Sequence, residues 1–235
     1  MHRQILRFAV YLLGLIILAL GITLNVKTGL GVSPIISVAH VFGVLLSMPI
    51  GDAAFGLYSV FVIAEILIHL SFFRKDRAYP IRSTLLKDVL QLPLSLLFTR
   101  VMNIFEALIP QLDALPEGVF FSSFTGRFAV LIVAIACTGI GAAASLDMRI
   151  VPNPGDGIVQ ALADLSGKET GLVKNIFDGC NVALSLMLGF ALSGGVIGIG
   201  IGTIIAFLGV GRFVALFNRF CFPPLQGLLH ELSKS

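Results

Sequence analysis

Ser33-Pro34-Ile35-Ile36-Ser37-Val38-Ala39-His40-Val41-Phe42-Gly43-Val44-Leu45-Leu46-Ser47-Met48 contains an apolar stretch, 34–48, that is too short for a confident membrane crossing. A crossing helix needs about 20 mostly apolar residues to traverse roughly 30 Å of hydrocarbon. A second short stretch, 154–165, follows Asn153. Each begins with a small polar residue and then proline, Ser33-Pro34 and Asn153-Pro154. That is a helix start: a side-chain cap, then a residue whose missing N–H costs nothing at that place. What these two pieces do decides the architecture.

Around them lie six segments that meet the length test, at 5–26, 52–73, 86–109, 125–146, 171–193 and 196–217. The chain has 235 residues, 57% hydrophobic and only 12% charged. A soluble domain is normally about 25% charged, because its surface must stay wetted. Composition therefore argues against a cytosolic enzyme, a nucleic-acid binder and a disordered chain, and for an integral membrane protein of all-α class with the lipid bilayer as its solvent. The start of the chain, Arg3 and Arg7 followed by an apolar run to Val26, resembles a signal peptide but is longer than the usual apolar region, so it is expected to be a retained first helix.

Basic residues choose between six and eight crossings. With the two short stretches not crossing and Arg3 and Arg7 cytoplasmic, Arg74, Lys75, Arg77, Arg82 and Lys87 all fall inside. So do Arg149, Lys168, Lys174, Arg219 and Lys234, while the connector with Asp113 and Glu117 falls outside. If both short stretches crossed, the basic residues of 74–87 would land outside. Six crossings with both termini cytoplasmic is the expected topology, in a bacterial inner membrane.

Comparing the chain with itself at a shift of about 120 aligns Leu20-Gly21 with Ile140-Gly141 and Ser33-Pro34 with Asn153-Pro154. The same shift, within a residue, aligns Thr84-Leu85-Leu86 with Thr203-Ile204-Ile205, and Leu97 to Arg100 with Leu216 to Arg219. A nearly constant offset along both halves points to duplication. The expected organisation is a first repeat at 1–110, a connector at 111–124 and a second repeat at 125–235, within one membrane domain. Each repeat holds three spans and one short helix, and an odd number of spans inserts the second repeat upside down. Inverted repeats of this kind occur in many secondary transporters, with solute sites near the midplane at the repeat interface. Two readings of the short helices stand: re-entrant half-helices whose N-terminal N–H groups offer an anion site, or interfacial helices with ordinary caps.

Polar residues at membrane depth are costly and face the bundle interior. Tyr58, Glu65 and His69 share one face of the second span, with Glu65 near its centre. Lys174, Asp178, Asn181 and Ser185 form a stripe along the fifth. In the third, Arg100 stands either to bind an anionic solute or to pair with Glu106. The expected substrate-binding set is Ser33, Asn153, Asp156, Glu65, Arg100, Asp178 and Asn181. Gly194, Gly198 and Gly202 recur at steps of four, a small-residue row suited to close helix approach and to a homo-oligomer contact. Cys137, Cys180 and Cys221 are far apart and the histidines scattered, so no metal site, cofactor or catalytic set is expected.

The motifs Arg7-Phe8, Leu13-Gly14-Leu15, Leu20-Gly21 and Lys27-Thr28-Gly29-Leu30-Gly31-Val32-Ser33-Pro34, with Asn153-Pro154-Gly155-Asp156 and Gly200-Ile201-Gly202-Thr203, resemble the YczE/YyaS/YitT-type family of bacterial multipass membrane proteins. The resemblance spans most of the chain and implies an inner-membrane protein of about six helices, without fixing a substrate. Two functions stand at this point: a secondary transporter or permease for a small polar or anionic solute, or a non-transporting scaffold or regulator that holds a partner through its helices. An enzyme is disfavoured.

Overall fold

A computed structural model describes residues 2–75 and 79–231. Arg77 and Lys234, which enter the charge argument, lie outside the described residues. The described chain is helical and contains no strand. In order it runs α1 (His2–Lys27), α2 (Pro34–Leu45), α3 (Ile50–Lys75), α4 (Ile81–Leu108), two 3-10 turns, α5 (Phe124–Asp147), α6 (Pro154–Ser166), α7 (Thr170–Ser193), α8 (Ile201–Phe220) and α9 (Phe222–Glu231). Six of these, α1, α3, α4, α5, α7 and α8, are long and apolar enough to cross a membrane. Large apolar side chains remain exposed along them, Val60, Ile63 and Leu67 on α3 for example, the surface that lipid covers.

Two helix starts differ from expectation by five residues. α4 begins at Ile81 rather than 86, because Ser83 and Thr84 donate their hydroxyls to the Pro80 carbonyl and continue the helix into the charged segment. α8 begins at Ile201 rather than 196, because Gly194 and Gly198 adopt left-handed backbone, φ 73° and 68°. The glycine row therefore does not exist as a helical face: Gly194 caps α7, Gly198 lies in the connector, and only Gly202 is on α8.

The chain divides into two compact units, each drawing on both halves of the sequence. The first comprises residues 1–33, 104–150 and 198–235. Here α1 packs along α5 through small residues. A Cβ on Gly14 would lie 2.8 Å from the Ser145 nitrogen, and one on Gly21 would lie 2.5 Å from that of Thr138. Positions rising along α1 thus meet positions falling along α5, so the two helices are antiparallel. α5 runs parallel to α8, since Ile135 meets Gly209 and Gly139 meets Phe213. Leu30, Leu131, Ile135 and Ala206 form the core between them. The irregular segments at Leu30–Val32 and Gly198–Gly202 bond to each other: Val32 N–H donates to Gly198 O at 2.8 Å and Gly202 N–H to Leu30 O at 2.8 Å. Those pairings satisfy backbone groups that the helices leave open.

These directions bear on the short helices. If the six long helices each cross once, α5 opposes α1 only when α2 does not cross. It matches α8 only when α6 does not cross. The first helices of the two halves also run oppositely, so the second half is inverted relative to the first.

The second unit comprises residues 34–103 and 151–197. Its packing repeats under the 120-residue shift. That shift carries Ser37 to Gly157 and Glu65 to Ser185. Ser37 on α2 meets Ser185 on α7, and Gly157 on α6 meets Glu65 on α3. Ile35 meets its own counterpart, Gly155. In the first unit, Gly21 meets Thr138 and the counterpart pair, Leu18 and Gly141, also touches. The contacts therefore recur at the same offset as the residue identities.

Candidate functional site

α6 starts where the sequence expects. The Asn153 side chain accepts from Gly155 N–H at 3.1 Å, Pro154 occupies the first helical position, and Gly167 in left-handed conformation ends the helix. The Asn153 carbonyl accepts from the N–H groups of Asp156 and Gly157, both at 2.9 Å. The first N–H groups of α6 are thus already bonded within the chain. The expectation of an anion held on this helix start loses its basis, because the donors it needs are in use.

A carboxylate faces the first turn instead. Glu65 on α3 is 1% exposed, and a Cβ on Gly157 would lie 2.7 Å from each of its oxygens. Only glycine lets the acid approach the helix so closely. Gln91 on α4, also 1% exposed, donates from Nε2 to Glu65 Oε2 at 2.7 Å. Asp156 sits in the first turn of α6, half-buried, close enough for its charge to act on Tyr58, Glu65 and Asp178. Tyr58 is fully buried on α3. On α7, Asp178 is 7% exposed and lies 3.7 Å from Lys174 Nζ. Four helices thus converge polar groups on the start of α6.

Three buried oxygens of this cluster lack any hydrogen-bond partner: Glu65 Oε1, Gln91 Oε1 and Asp178 Oδ1. Buried polar groups are ordinarily satisfied, and each exception asks for an explanation. Below the cluster along α3, His69 Nδ1 and Asp88 Oδ2 lie 2.7 Å apart, with the His69 ring stacked near Tyr79. Among the described residues no three His, Cys, Asp or Glu side chains are grouped so as to hold a metal ion.

The chain matches a family model described as "Family of unknown function (DUF6198)" over residues 5–219. The chain belongs to the DUF6198 family. No curated protein and no solved structure matches it.

Of the residues expected from sequence, Glu65, Asn153, Asp156 and Asp178 are brought together in this DUF6198 protein. Asn181 lies on the same α7 face, but its amide donates to Phe177 O of its own helix at 2.9 Å. Ser33 is buried and belongs to the first unit, while the cluster residues all belong to the second. Arg100 pairs with Asp52, and Asn103 bridges Asp52 and Gly51 N–H. It lies about 13 Å further along α4 than Gln91, at 1.5 Å rise per residue, and so takes no part in the cluster. Sequence reasoning placed neither Gln91 nor Gly157 in the binding set. The shift of 120 places Gly157 opposite Ser37, but that Gly157 faces Glu65 requires the fold.

Proposed function

We propose that this protein is a secondary transporter or permease for a small polar solute, with its site where α3, α4, α6 and α7 meet at the start of α6. The observation that carries the reading is the set of unpartnered buried oxygens on Glu65, Gln91 and Asp178. Polar groups held unsatisfied inside an apolar helical body cost folding free energy and mark solute pathways in membrane proteins. The inverted duplication supports it, since the cluster joins short helix α6 of one repeat to spans α3 and α4 of the other. We also read the chain as a YczE/YyaS/YitT-type protein of the bacterial inner membrane, with both termini cytoplasmic.

The test is flux in proteoliposomes holding the purified full chain, across a broad panel of small solutes. Saturable uptake of at least one solute, abolished by Glu65→Gln, is expected. An absence of saturable flux for every solute defeats the reading. A stoichiometric co-purifying protein in that case would favour the regulator alternative.

A further inference from the structure

We propose that the cluster at the start of α6 binds a small organic monocation bearing N–H groups, of the primary-ammonium or guanidinium class. This deepens the transporter reading and rests on it for the idea that a solute enters. The ligand is defined by what the site lacks. All three unpartnered atoms, Glu65 Oε1, Gln91 Oε1 and Asp178 Oδ1, are oxygens, acceptors in the amide and in the ionised carboxyls. Gln91 is held in that sense by Glu65: its Nε2 donates to the carboxylate, which turns its carbonyl oxygen away as a free acceptor. Acceptors without donors call for a ligand rich in N–H or O–H groups.

Charge points the same way. Glu65, Asp156 and Asp178 gather here against Lys174, which sits beside Asp178, while Asp88 is matched by His69. An anion would meet carboxylates from α3, α6 and α7. A cation with directional N–H donors would meet charge-assisted hydrogen bonds. A divalent metal needs several oxygen ligands converging on one point, and no such group is present among the described residues.

The duplicated half supplies the control. At the equivalent place, Ser185 Oγ donates to Ser37 Oγ at 2.7 Å, and Ser37 Oγ lies 2.6 Å from the Pro34 carbonyl. That position is closed by two small hydroxyls, neither of them left unpartnered. The unpartnered acceptors at Glu65 and Gln91 are therefore not a demand of the packing, because the same packing is met elsewhere without them.

The experiment measures equilibrium binding of radiolabelled methylammonium and guanidinium to the purified full chain, with acetate and inorganic phosphate as competitors. Wild type and Glu117→Gln, an exposed change of the same charge, are expected to bind both cations saturably. Glu65→Gln is expected to weaken binding roughly tenfold or more, the scale of one hydrogen bond to a charged group. The double variant Glu65→Ser with Gly157→Ser rebuilds the closed serine pair, and is expected to stay monodisperse while losing binding. Absence of saturable binding of both cations overturns the proposal, as does undiminished binding to Glu65→Gln, or displacement by acetate or phosphate as effective as by unlabelled cation. The two readings fail separately. Cation binding without flux of any solute sinks the transporter and leaves the site; saturable flux of an anion, unaffected by either cation, leaves the transporter and sinks the cation site.

Discussion

Gly157 has no room for a methyl group, because both oxygens of Glu65 occupy the space where its Cβ would stand. Gly157→Ala is expected to lower stability by about 1–3 kcal/mol, the usual cost of overpacking, read as a fall in melting temperature in detergent. Adding Glu65→Ala should recover most of that loss, since the two changes share one contact; equal losses in single and double variants would place the strain elsewhere. Glu65 was legible from sequence because an acid near the centre of an apolar span has few neutral explanations. Gln91 and Gly157 were not, for a physical reason. An amide in a long helix and a glycine in a helix are common, and their meaning comes from what stands opposite. Arg100 misled for the same reason: its charge was visible, but Asp52, its actual partner, is distant in sequence.

At the level of elements, the α1–α5 seam depends on backbone approaching backbone. Gly21→Ala puts a Cβ 2.5 Å from the Thr138 nitrogen and should destabilise the fold by about 1–3 kcal/mol. Gly56→Ala on α3, where nothing lies within 4 Å, should be neutral or up to about 1 kcal/mol more stable. Parallel melts of the two variants check the contrast, and similar behaviour would mean the seam is looser than its geometry implies. The six spans were readable because hydrocarbon thickness sets helix length, and the two short helices because a polar cap and proline announce them. The start of α8 was not readable from apolar content alone. Ile197 and its neighbours are as apolar as helix residues, and it is the left-handed backbone at Gly194 and Gly198 that keeps the connector out of the helix.

At the level of the whole chain, the opposed α1 and α5 and the aligned α5 and α8 agree with the distribution of basic residues. Both favour a route in which the short helices do not cross. On a background with Cys137, Cys180 and Cys221 replaced, Arg82→Cys should react with an impermeant thiol reagent only from the cytoplasmic side, and Glu117→Cys only from the opposite side. Labelling of both from one side would break the three-plus-three plan. Duplication was expected from an offset in residue identities and its inversion from an odd number of spans per half, and the paired contacts of Gly21 with Thr138 and of Leu18 with Gly141 follow the same offset. The joined connectors carry a consequence for how such chains diverge. Because Leu30–Val32 and Gly198–Gly202 complete each other's main-chain bonding, neither can gain or lose a residue alone without stranding a donor and an acceptor in its mate. A length change in this chain is thus expected to be tolerated between α4 and α5 and resisted in these two connectors, whose lengths are tied to each other.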